Sequence, residues 1–429
     1  MKHVYAPAGW LLTAVSAALP ALGDGAFLYY DYEQTAATDL AQTRQEVLLA
    51  FYKGADDGEP RVTYVIRTRY AGQPTAFAWI VPVPATPTDV TAHPSGELFD
   101  ALSELTKPMF TIASRGDKGG IGCGCSADGT ALLESGLVEV EASGQAGIFE
   151  WTALTSTGAT ALLTWLNAHG FAVPSAAAAV LDHYIQSDMH FLALRVSEPE
   201  NVAADSTGVV ELPPIQFTCQ TTQRFYPMAI SQVSAAPETE VLVYVLANHR
   251  AEGANVSNAV IDPQAVVYDP NSASQTNYET LFSQTIARSG GLALVTEFAG
   301  YPYDWMQAAD RETVPVLVTQ AESAARDYPA VVRESLPAEV LDLLFITRMR
   351  TVIVRERMSQ DFFFQDAASD EEVYSHFSVR MTAADALAGA AGAPLAAVLT
   401  YGVFHVGMKQ RARRARSSGC HFSVSSADR

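Results

Sequence analysis

Lysine is nearly missing from this chain. Of its 27 basic residues only five are lysines (Lys2, Lys53, Lys107, Lys118 and Lys409), and 47 acidic residues leave a formal net charge of −20 over 429 residues. Nucleic-acid binding needs a basic footprint, so that class of function is excluded. Cysteine is also scarce, at four residues, which rules out a disulfide-dense scaffold. The phosphate-loop pattern G-x-x-x-x-G-K-[ST] is absent, as are G-x-S-x-G and H-E-x-x-H. With them go the usual sequence signatures of a P-loop nucleotide site, a hydrolase elbow and a zinc protease. What the chain has is apolar surface. Hydrophobic residues make up 48%, enough for one large core or for two or three domains.

Both ends suggest a membrane address. Lys2 and His3 precede an uncharged apolar run, Trp10 to Gly23, and Ala21 and Gly23 are the small residues a leader peptidase needs before Asp24. Residues 1–23 therefore read as a signal peptide. Near the other end, residues 386–408 hold no Asp, Glu, Lys or Arg. As a helix they would extend about 35 Å, enough for a bilayer core of about 30 Å. Lys409, Arg411, Arg413, Arg414 and Arg416 follow at once, the charge pattern of a span held by a cytoplasmic tail over 409–429. The expectation is a single-pass protein of the cell membrane with an exported domain over 24–380. Residues 24–385 carry 20 basic against 46 acidic side chains, a formal −26, which favours solubility and names no partner.

Within the exported part, Gln45–Lys53 and Arg61–Arg69 read as strands joined by the loop GADDGEP, a hairpin with a long turn. In the second strand Val62, Tyr64 and Ile66 alternate with Thr63, Val65 and Arg67, so one face is the more polar. Phe77–Pro84 is a third strand that ends, or runs along an edge, at Pro82. Leu98, Leu102 and Leu105 recur at helical spacing behind Ser95 as a cap. Further strands are expected at 136–141, 147–153, 190–196, 215–219, 240–248, 292–297, 343–348 and 351–355. Helices are expected at 157–167, 176–186 and 278–287. An internal boundary falls in the polar stretch 197–210. Strands and helices mix without regular alternation, which predicts an α+β fold of mainly antiparallel sheets with packed helices, plus the one C-terminal transmembrane helix.

Several segments carry a resemblance to a family. They are FAWIVPVP at Phe77–Pro84, GCGC at Gly122–Cys125, the run from Trp151 to Ile185 followed by HFLALRV, and LPPIQFTCQTTQRFYPMAI at Leu212–Ile230. VLVYVLANHR at Val241–Arg250 and FITRMRT at Phe345–Thr351 complete the set. Together, and in this order, they resemble a bacterial envelope family known as domain of unknown function 2330, over roughly residues 24–360. The resemblance implies an exported, often membrane-anchored protein. It brings no activity, substrate, cofactor or catalytic residue.

The candidate chemistry is that of Cys123, Cys125 and Cys219. Three arrangements are open. A structural disulfide from Cys219 to either loop cysteine, which comes first, closes a long loop and is worth a few kcal/mol. A strained Cys123–Cys125 bridge would suit thiol–disulfide exchange. A metal held by the three thiolates and a histidine is the third, although C-x-C alone is a weak zinc signal. The remaining histidines form no pair at i, i+4, and His183 and His190 read as boundary residues. The turn Asp56-Asp57-Gly58-Glu59 lacks calcium-loop spacing and reads as a solvated hairpin tip. No cofactor or resident metal is assigned. The expected role is binding or supporting an envelope partner; the alternative is a thiol–disulfide or metal-dependent envelope enzyme centred on Cys123 and Cys125.

Overall fold

Successive residues along the central strands are buried on opposite sides. Val47, Leu49 and Phe51 enter one apolar cluster while Leu48 and Ala50 enter another. Val241, Val243 and Val245 separate in the same way from Leu242, Tyr244 and Leu246. Side chains of a strand alternate between faces, so a strand apolar at both parities must be covered on both. The computed structural model meets that demand with four layers. It describes residues 26–29, 41–71, 77–93, 96–111, 138–171, 173, 177–197, 209–301, 328–341, 343 and 345–379.

The larger sheet runs, in order, through Ser257–Val260, Ala293–Gly300, Phe345–Val354, Ala235–Ala247, Ala41–Lys53, Pro60–Ala71, Ile215–Gln220 and Thr88–Ala92, with Val209–Glu211 also paired to Pro60–Ala71. The smaller sheet runs Ala26–Tyr29, Phe77–Val83, His190–Val196, Phe149–Ser156 and Val138–Ala146. The main core lies between them, with Trp79, Leu192, Leu194 and Phe149 of the smaller sheet on the inner face of the larger. Helices close the outer faces. α1 (Glu97–Thr106), α5 (Tyr328–Ser335) and α6 (Ala338–Leu341) cover the larger sheet; α2 (Ala159–Ala168) and α3 (Ala178–Gln186) cover the smaller. α4 (Tyr278–Arg288) packs Tyr278, Phe282 and Ile286 on Val295 and Phe377. Each fully buried large apolar side chain contributes about 1.5–3 kcal/mol, so this double-sided burial is the main stabilising term.

The hairpin forms with the expected loop, closing at Lys53 opposite Pro60. Pro82 lies beyond the stretch 77–80 that Ala26–Tyr29 pairs with, so among the described residues no ladder partner stands on that side at residue 82. The expectation of mainly antiparallel sheets with a transmembrane helix needs correction. Strand predominates among the described residues, and the sheets are mixed. Ala235–Ala247 runs parallel to Ala41–Lys53, Ser257–Val260 parallel to Ala293–Gly300, and His376–Ser378 parallel to Met109–Thr111. No helix among the described residues is long and apolar enough to cross a membrane, so the transmembrane helix is not supported. Residues 386–408, like the expected signal peptide at 1–23, lie outside the described residues. The polar face expected on the second hairpin strand is also covered: Thr63, Val65 and Arg67 are all buried.

Candidate functional site

Cys219 lies in the strand Ile215–Gln220, wholly buried, and carries a free thiol. It donates to the Ala85 carbonyl at 3.4 Å. Burial pushes its pKa up to about 12, the reverse of what a nucleophilic or metal-binding thiolate needs. With its thiol free, the expected disulfide from Cys219 is not supported. Cys123 and Cys125 lie outside the described residues. Among the described residues no group of three or more His, Cys, Asp or Glu is placed to hold a metal.

Near Ala85 three polar side chains meet. Thr86 Oγ1 donates to Glu141 Oε2 at 2.9 Å, and His190 Nδ1 donates to the same oxygen at 2.7 Å. In a Ser-His-Asp triad the acid meets Nδ1 and the hydroxyl meets Nε2. Here both converge on one side of the ring, so the set clamps a loop and relays no proton to a nucleophile.

The outer face of the larger sheet holds an ionic row that no local pattern suggested. Arg67 donates to Glu46 through Nε at 2.7 Å, to Asp100 at 2.7 Å and to the Gly96 carbonyl at 2.9 Å. Arg44 links Glu46 to Glu240 at 3.4 Å each. Arg350 joins Glu240, Glu279 and Glu297, and Arg348 donates to Glu297 at 2.9 Å and to Tyr244 at 3.2 Å. These residues share one strand face by register: Glu46 lies opposite Arg67, and Tyr244 opposite Arg348. Burial alone would lower the Arg67 pKa, but Glu46, Glu211 and Asp100 raise it instead. The row is ion-paired and lies under α1 at its Arg67 end and against α4 at its Arg350 end. It orients strands and offers no open group to a ligand.

The hairpin end is different. There a cleft of about 510 Å³ lies between the tips of Ala41–Lys53 and Pro60–Ala71, the turn at Thr221–Arg224, Asn248 and α6. Phe51, Val62 and Leu343 supply its apolar lining; Lys53, Arg61 and Arg224 supply positive charge, against one acid, Glu339. That volume lies within the range of small-ligand sites. Arg61 is held by Asp57 at 2.5 Å, and Arg224 by Asp366; neither acid lines the cleft. Arg61 lies so close over Gly54 that a Cβ there would stand 1.6 Å from Nη1. Lys53 is exposed and has no hydrogen-bond or ion-pair partner among the described residues. The acidic turn read as a hairpin tip thus fixes one wall of the cleft through Asp57. A second cleft, of about 370 Å³, is lined by His93, Glu97, Gln216 and Glu334. Burial lowers the His93 pKa, partly opposed by its bond to Gln216, so the ring is neutral near pH 7.

A family model described as an uncharacterized protein conserved in bacteria (DUF2330) matches residues 37–412. No curated protein matches the chain. The crystal structure of baculovirus P35 is similar over 53% of this chain and 68% of that one, at 10% identity and a TM-score of 0.27, which is too low to carry an argument.

Proposed function

The chain belongs to this family of uncharacterised bacterial proteins, and from that premise we propose that it is an exported binding module of the cell envelope, engaging a partner through the hairpin-end cleft. The observation that carries the reading is the cleft itself. Exposed Lys53, without a partner among the described residues, stands beside two anchored arginines over an apolar floor, whereas the buried arginines of the larger sheet are ion-paired. A paired scaffold with an open, partly charged concavity is suited to recognition. Export rests on the leader pattern at residues 1–23 and agrees with the acidic composition.

The test is site-specific cross-linking in the producing bacterium. A photoreactive residue replaces Thr222, which is exposed and lines the cleft, and in a control replaces Gln284 on the exposed face of α4. A discrete adduct at position 222, missing at 284 and lost when Ala55→Trp, at an exposed position of the lining, fills the cleft, is expected. Identical patterns at the two positions would refute the reading.

A further inference from the structure

Resting on that reading of the cleft, we infer that its ligand is a carboxylate carried on an apolar body. Three features converge. First, the lining pairs hydrogen-bond donors with hydrocarbon: Lys53, Arg61, Arg224 and Asn248 stand beside Phe51, Val62 and Leu343. Such a lining matches a ligand with one polar end and one apolar end. Second, the arginines are pre-positioned. Asp57 and Asp366 hold them from outside the lining, and the Arg224 guanidinium lies 5.3 Å from the Phe51 ring centroid. A planar guanidinium fixed in this way keeps further N–H donors for an oxyanion, and its fork matches carboxylate geometry. Third, the charge count disfavours a dianion. Asp57 and Asp366 pair with two of the three cations, Lys53 has no carboxylate partner among the described residues, and Glu339 adds one negative charge to the lining. A phosphate monoester, with a charge near −1.5 to −2 at pH 7, would bring more charge than the cleft leaves uncompensated.

The experiment is calorimetric titration of the full chain with 3-phenylpropanoate and with a tripeptide ending in phenylalanine, each against its amide, and with phenyl phosphate. The carboxylates should bind, and each amide should bind about tenfold more weakly. Lys53→Ala should weaken the carboxylates several-fold and leave the amides unchanged. Lys53 is exposed and unpaired, so this variant should keep the parent's unfolding midpoint. Tighter binding of the peptide than of the small acid would identify the source as a chain terminus, and the reverse a free acid; either supports the assignment. Equal affinity of acid and amide, indifference to Lys53→Ala, tighter binding of phenyl phosphate, or binding of none of these probes would overturn it. The Thr222 adduct would survive any of those results if the cleft binds a partner of other chemistry.

Discussion

Removing the Arg67 guanidinium should be among the most damaging single changes in the scaffold. Arg67 and Glu46 have side chains only 3% and 2% exposed and lie 2.7 Å apart. Arg67→Met keeps an apolar stem but removes the guanidinium that lies 5.2 Å from the Phe99 ring centroid and leaves the Glu46 carboxylate buried, with only the half-exposed Arg44 at 3.4 Å to offset it. The Gly96 carbonyl at the start of α1 loses one of its donors as well, keeping the Phe99 and Asp100 N–H groups. Breaking one side of a buried pair costs about 3–5 kcal/mol, a large part of a typical domain stability of about 5–15 kcal/mol. Replacing both partners by apolar groups removes the stranded charge. Glu46→Leu with Arg67→Met should therefore recover at least about 2 kcal/mol of the loss. The assay is urea unfolding of the parent, both single variants and the double variant, read at a common denaturant slope. A single-variant cost below about 1 kcal/mol, the level of an exposed pair, or a double variant no better than Arg67→Met, would refute the account of this row.

Phe99→Ala should cost about 3–5 kcal/mol in the same assay, because the ring is fully buried between α1 and the sheet. Asp361 is buried against Tyr184 and the Ala229 N–H, and burial raises its pKa despite those two bonds. The folded state then binds the proton more tightly than the unfolded state, so this group's contribution is greatest below the ordinary carboxylate pKa of about 4 and is lost as pH rises above it. Asp361→Asn should flatten that loss in unfolding midpoints measured upward from pH 4; an unchanged profile would contradict it. Cys219 should resist iodoacetamide in the folded protein at pH 8, with about three orders of magnitude less thiolate than an ordinary thiol, and react fully once unfolded; mass spectrometry would expose equal labelling in both states. Gly54→Ala should displace Arg61 and weaken carboxylate binding several-fold while shifting the unfolding midpoint little, since the added Cβ meets only the ends of the Arg61 and Asp57 side chains.

Local pattern carried the strands and helices further than it carried their assembly. The apolar runs at Gln45–Lys53 and His190–Val196 and the helical spacing of Leu98 and Leu102 translate into elements directly. The polar parity of Arg61–Arg69 did not reveal its burial, because Arg67 is satisfied by Glu46 in another strand and by Asp100 in a helix. Two strands expected at 343–348 and 351–355 form one, Phe345–Val354; Arg350, between the two expected strands, continues the alternation into the ionic row. Parallel pairings arise from long crossovers that leave no local mark. The cleft draws on segments near residues 53, 61, 222, 248 and 339, and its only legible trace was the acidic turn containing Asp57.

The most direct test of the cleft as the working site is footprinting of Lys53 with a membrane-impermeant acylating reagent, on intact cells and on purified protein. Lys107, paired with Glu104 and remote from the cleft lining, is the internal reference. If the cleft is occupied in the envelope, Lys53 labelling falls several-fold in cells relative to Lys107. Equal Lys53-to-Lys107 ratios in cells and in purified protein would contradict the account.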